Sequence, residues 1–140
     1  MTTVKIDTEK LDLLVAQFPT MVDKAIRATA FDVQGNAQSM AAVDTGAMRA
    51  SIFTKTHSSN GFEDAGGEAL GHNNEVEIDD PTPTDCPLMT AYIAPGVNYA
   101  YFQEFGTSKM AAHPFMTPAI EKADEDFDKY MKQVFAEGAW

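Results

Sequence analysis

Val22, Ile26, Ala30, Val33, Ala37 and Met40 recur every three or four residues, and that period commits the segment to an amphipathic helix. A single apolar stripe of this length must be covered by a second layer, which the rest of the chain has to supply. Asp23, Lys24, Arg27, Gln34 and Gln38 lie opposite the stripe. Pro19 removes a backbone donor and restricts the residue before it, so Thr20, with Asp23 in the first turn, reads as the N-cap. The spacing predicts one long helix over residues 20–42, preceded by a shorter apolar stretch of Leu11, Leu14, Val15 and Phe18. Gly35 inside the helix costs about 1 kcal/mol relative to Ala. A close backbone approach or a kink would explain it. The Ala-rich face reads as core, with a contact between subunits as the alternative.

Asp44-Thr45-Gly46 ends the helix, because Gly adopts a left-handed C-terminal conformation without steric penalty. Residues 48–56 alternate loosely and read as a strand. Residues 57–73 are rich in Gly, Asn and Ser, unsuited to an element interior. Val76 and Ile78 suggest a second strand within Glu75–Asp80, closed by Pro81-Thr82-Pro83. Residues 88–94 suggest a third, ending at Pro95-Gly96. Hairpin order predicts an antiparallel sheet. In residues 98–107 Tyr99, Tyr101 and Phe105 fall at strand-like spacing while Ala100, Phe102, Glu104 and Phe105 fit a helix; a short helical turn followed by a bend at Gly106 is the favoured reading. In the last helix Thr117 is placed as N-cap and Pro118 as first residue. Ile120, Ala123, Phe127, Tyr130, Met131 and Val134 form its stripe, and Gly138 ends it. The expected fold class is α+β: a long N-terminal helix and a C-terminal helix packed on a small antiparallel sheet. One domain is expected over 1–140, with an N-terminal extension at 1–19 and a long acidic loop at 57–87.

The net charge of −11 is unevenly placed. Between Lys55 and Lys109 there is no basic residue, against Glu63, Asp64, Glu68, Glu75, Glu77, Asp79, Asp80, Asp85 and Glu104. A protein that grips DNA supplies Lys and Arg to neutralise phosphates, so specific nucleic-acid binding is not expected. No run reaches the roughly 18–20 apolar residues of a membrane span, and the N-terminus lacks the apolar stretch of a signal peptide. The one cysteine, Cys86, cannot form an intrachain disulfide, which fits synthesis in a reducing cytosol. Asp85 and Pro87 beside it do nothing to stabilise a thiolate.

Chemistry-bearing constellations are scarce. Asp44-Thr45-Gly46-Ala47 matches the signature of retroviral-type aspartic proteases, in which two such Asp residues share a proton and activate water. That Asp must leave a buried strand of an all-β fold, whereas here it follows the end of a helix, and termination of the helix is the better account. His57, His72 and His113 have no His, Cys or carboxylate at ligand spacing. The expectation is no catalytic residue, no metal and no cofactor, and an interaction protein in place of an enzyme.

Three stretches carry a resemblance: Val43-Asp-Thr-Gly-Ala-Met-Arg-Ala-Ser-Ile52, Asn98-Tyr-Ala-Tyr-Phe-Gln-Glu-Phe-Gly-Thr107 and His113-Pro-Phe-Met-Thr-Pro-Ala-Ile120. In this order they resemble the small head–tail connector and tail-completion (neck) proteins of long-tailed double-stranded DNA bacteriophages, over roughly residues 20–135 apart from the middle insertion. On that resemblance the motif residues are Asp44, Thr45, Gly46, Arg49, Ser51 and Ile52, then Tyr99, Ala100, Glu104, Phe105, Gly106 and Thr107, then Pro114, Phe115, Pro118 and Ala119. All are expected in structural or interface roles. The turns around Asp44–Arg49 and Glu104–Gly106 are expected to lie together, with Arg49 paired to Glu104.

The resemblance implies a virion protein, made in the host cytoplasm and placed in a ring at the head–tail junction or the head-proximal end of the tail. A hexamer with head-to-tail contacts is expected, meeting head-closure, tail-terminator and tail-tube proteins, with DNA passing through the channel and no membrane involved. The alternatives are a tail terminator, a head-closure ring, the aspartic protease, or an interaction module unrelated to phage. Glu75, Glu77, Asp79 and Asp80, repeated around a ring, would form an acidic lumen that repels phosphates if they line the channel, and a solubilising surface if they lie outside.

Overall fold

The computed structural model describes residues 3, 8–41, 47–61 and 80–137. The elements run α1 (Glu9–Met40), α2 (Ala47–Ser51), β1 (Ile52–Thr56), β2 (Ser59–Asn60), β3 (Ala91–Pro95), α3 (Ala100–Phe105), α4 (Met116–Glu121) and α5 (Ala123–Glu137). The three strands form an antiparallel sheet in the order β2-β1-β3. The α+β class expected from the sequence is what the chain adopts.

α1 is the spine, but it starts eleven residues earlier than Thr20 and runs through Pro19. A proline inside a helix removes one backbone bond and costs about 3 kcal/mol. Tertiary packing offsets it. Leu14 packs into a cluster with Met21, Ala25 and Val134, and the Phe18 and Phe135 rings sit 6.2 Å apart. Residues 9–19 are therefore the first turns of α1, touching α5 through Leu14 and Phe18, and Thr20 lies inside the helix, not at its N-cap.

The faces of α1 also differ from the simple stripe. Gln34 and Gln38, expected to face solvent, donate to the Ile52 carbonyl at 3.2 and 3.5 Å, and Thr54 Oγ1 donates to Gln34 Oε1 at 2.6 Å. These bonds fasten the helix to β1. Asp23 is buried and accepts the Met89 N–H at 3.2 Å, which holds Met89 at φ 62° in the turn before β3. Left-handed backbone in a non-glycine residue needs such support.

A Cβ at Gly35 would meet nothing within 4 Å, so neither close approach nor crowding accounts for this glycine. Gly35→Ala is expected to raise stability by about 0.5–1 kcal/mol, through helix propensity and a less flexible unfolded chain. Urea denaturation checks it, and a lower midpoint would contradict the open space seen here.

The expected strand over 48–56 divides. Its first part is α2, and only Ile52–Thr56 pair as β1. All five β1 residues are buried, so the segment has no solvent face to mark by alternation. β2, two residues long, falls within the stretch read as loop, directly after a tight turn at His57-Ser58. The strand expected at 75–80 lies outside the described residues except for Asp80.

The principal core joins Val33, Ala37 and Ala41 of the α1 region to Met48, Ile52, Val97, Ala100, Phe115 and Ala119. α5 packs along α1, and Tyr130 Oη donates to Asp32 Oδ2 at 2.5 Å between them. That bond, with burial and the nearby acids, raises the Tyr130 pKa above 10.0. The last helical region is two helices, broken at Lys122.

Candidate functional site

The second and third motifs meet at one side chain. Glu104 ends a turn of helix whose other wall, Ala100, is core, and this directs its carboxylate at the start of α4. Glu104 Oε2 accepts the Phe115 and Met116 N–H groups at 2.8 and 3.0 Å. Oε1 accepts the Thr117 N–H at 2.9 Å and the Thr117 hydroxyl at 2.5 Å. The first N–H groups of any helix lack intrahelical acceptors, and the helix dipole favours an anion there. Here a carboxylate from another element supplies both. Burial pushes the Glu104 pKa up, and the bonds from Thr117, Phe115 and Met116 more than offset this, leaving it below 4.5.

This overturns two expectations. Thr117 does not N-cap the helix, and Pro118 is its third residue, because α4 begins at Met116. Arg49 forms no ion pair with Glu104. It lies half-buried in α2, and its Nε has no hydrogen-bond partner. The carboxylate bonds main-chain donors in place of a guanidinium.

Gly106 makes the predicted bend, at φ 76° and ψ 179°, a region open essentially to glycine alone. A Cβ there would also lie 2.8 Å from the Ala112 nitrogen. The bend lets His113 N–H donate to the Gln103 carbonyl at 2.7 Å, so chain order brings Phe115 back under Glu104. Thr107 Oγ1 accepts the Lys109 and Met110 N–H groups and closes the loop.

The remaining motif residues divide by environment. Ile52, Ala100, Phe115 and Ala119 are buried core, Tyr99 packs against it, and Ser51 Oγ donates to the Met48 carbonyl at 2.7 Å. Pro114 is exposed. Asp44, Thr45 and Gly46 lie outside the described residues. Met48 and Ile52 of the first motif share the principal core with Ala100 of the second, and just ahead of the second motif Gly96 N–H donates to the Ser51 carbonyl at 3.0 Å.

Phe105 is 65% exposed and Tyr101 64%, with their ring centroids 4.9 Å apart; Phe102 stacks edge-on to Tyr101 at 5.8 Å. α3 thus presents three aromatic rings on a rigid turn. An exposed aromatic cluster of this kind is a candidate interaction surface. The sequence showed the aromatics but not which of them core packing would leave outside.

A second junction carried no local signal. Lys55, in the buried central strand and only 7% exposed at its side chain, reaches Asp80 Oδ2 at 3.2 Å, Thr82 Oγ1 at 3.4 Å and the Pro83 carbonyl at 2.9 Å. Asp80 also accepts from the Thr82 N–H and hydroxyl. Burial raises the Asp80 pKa, and the bonds from Thr82 and Lys55 bring it below 3.8. Asp80 therefore anchors the Asp80–Pro83 segment to β1. Glu75, Glu77 and Asp79 lie outside the described residues.

Cys86 beside this latch is buried, its thiol directed to the Thr90 and Lys55 carbonyls. Burial pushes its pKa above 9.0. Among the described residues no group of His, Cys, Asp and Glu could hold a metal ion, and no helix is long and apolar enough to cross a membrane.

An open apolar groove of about 720 Å³ runs between α1, β3, the Pro81–Pro83 segment and the α4–α5 junction. A smaller one of about 450 Å³ adjoins it below Tyr101 and Phe105. Ile120, expected in the core stripe, stands 54% exposed where both meet.

No curated protein and no solved structure matches the chain significantly. A family model described as "Bacteriophage HK97-gp10, putative tail-component" matches residues 8–106, from the start of α1 through the Gly106 bend. With the first motif and all of the second but Thr107 inside that span, the chain belongs to the HK97-gp10-like family of bacteriophage tail components.

Proposed function

We propose that this chain is a non-enzymatic subunit of a ring at the head–tail junction or the head-proximal end of a phage tail, a tail-completion or connector protein. The observation that carries the reading is the α3 turn: a family-motif segment braced by Glu104 from within and aromatic on its outside. A closed ring needs a rigid surface on each subunit that fits a different surface on the next. The exposed rings of Tyr101 and Phe105 supply one such surface.

Six copies are the natural number for a sixfold tail, joined head to tail and meeting head-closure, terminator or tube proteins at the two rims. The acid surplus between Lys55 and Lys109, repeated around the ring, makes a negative collar that repels DNA in the channel. α1 ends at Met40 with Ala41 as its C-cap, ahead of Asp44-Thr45-Gly46, and the residue after that signature opens a helix, α2, where the protease reading needs a strand.

Native mass spectrometry of the purified chain, followed by imaging of particles that contain it, tests the reading. A six-membered ring is expected, and Tyr101→Asp with Phe105→Asp should dissociate it at least tenfold more readily while leaving the circular dichroism spectrum intact. An obligate dimer, or particles lacking the chain, would sink the proposal.

A further inference from the structure

Among the described residues β3 pairs on one side only, with β1. Gly96 N–H donates to the Ser51 carbonyl, so the directly opposed pair Ser51/Gly96 is hydrogen-bonded. In an antiparallel ladder such pairs recur at every second residue, which places Phe53/Ala94 and Lys55/Tyr92 in the same class. Ala91, Ile93 and Pro95 consequently aim their main-chain groups away from β1. Among the described residues nothing bonds to the N–H or C=O of Ala91 or Ile93. Both residues are half-buried, and half-buried main-chain polar groups ordinarily find partners. The same edge forms one wall of the 720 Å³ groove, opposite Ile26, Val33 and Phe127.

An unpaired strand edge above an apolar floor is the receptor half of strand addition, where main-chain bonds give affinity and alternate side chains fill the groove. We propose that this edge docks an extended segment from a different protein of the assembled tail or neck, lying beside β3 with apolar side chains inserted between α1 and α5.

Charge argues for the partner's character. Asp124 lines the groove, and Glu121, Lys122 and Glu125 flank it along the chain, so the acids outnumber the one base there. A segment with basic flanks and no acids suits that rim, whereas a second copy of a chain of net charge −11 would bring like charge to it. The proposal rests on the chain acting within a tail assembly, but it does not depend on how many copies form the ring.

The test is a density map of a tailed particle containing this chain, paired with two variants. The map is expected to show an extended segment of another protein bonded to Ala91 and Ile93. Ala91→Pro removes a donor that faces away from β1, the position where strands accept proline. It should lower the yield of completed particles at least tenfold while the isolated protein keeps its melting temperature. Asp124→Lys, at an exposed rim position, should lower the yield severalfold and serves where Ala91→Pro impairs folding. An empty β3 edge in particles that hold the chain in a ring would overturn strand docking and leave the ring reading intact. A segment of a second copy in the groove, or full yield from both variants, would overturn it equally.

Discussion

Glu104→Ala is expected to destabilise the protein by about 3 kcal/mol, more than the 0.5–2 kcal/mol of an ordinary N-cap, because one carboxylate serves several donors at once. The substitution leaves the N–H groups of Phe115, Met116 and Thr117 without acceptors. Phe115 is fully buried, so water replaces the lost acceptor poorly there. Glu104→Gln keeps one good acceptor oxygen and should cost less, about 1–2 kcal/mol.

The pH dependence separates the charge from the packing. The native pKa lies below the ordinary 4.5, so the carboxylate's contribution is fully present above 4.5 and is lost as pH falls through the lower native value. Wild-type stability should drop across that acid window, and the drop should be smaller in Glu104→Gln. Chemical denaturation at a series of pH values reads this directly. A Glu104→Gln profile parallel to wild type would refute the capping role.

Lys55→Met should cost about 2 kcal/mol. Methionine matches the apolar stem of the lysine, so the loss isolates the ammonium and its three oxygens. Breaking a fully buried ion pair costs about 3–5 kcal/mol. Asp80 keeps 22% side-chain exposure and its bonds to Thr82, which places the expected value lower. Hydrogen exchange should show the effect concentrated at residues 80–86 and at the Lys55/Tyr92 pairing of the sheet. Uniform loss of protection across α1 and α5 would mean that Lys55 does not act as a local latch.

Sequence alone determined the two long helices, the antiparallel pairing of the β1 and β3 segments and the bend at Gly106, while the two-residue β2 lies in a stretch that reads as loop. Each depends on a local rule: side-chain period for α1 and α5, β-branched runs bounded by turn residues for the strands, and a backbone conformation only glycine adopts at position 106. The family was legible for the same reason, since its motif residues sit at turns and element starts where few residue types fit.

Tertiary structure decided what no local rule contains. Pro19 stays inside α1 because Leu14 and Phe18 find α5, and packing outweighs a lost backbone bond. Glu104 caps a helix that begins twelve residues later, at Met116; a carboxylate is visible in the sequence, but its acceptor role exists only after the Gly106 bend folds the chain back. Lys55 is an ordinary strand residue until Asp80, Thr82 and Pro83 cross above it. Which rings of the Tyr101–Phe105 segment face outward, and which edge of β3 stays unpaired, likewise follow from the way α1 and α5 fill the space beside the sheet. Burial, pairing and exposure are properties of the packed chain, and spacing along the sequence constrains them only where neighbours in sequence are also neighbours in space.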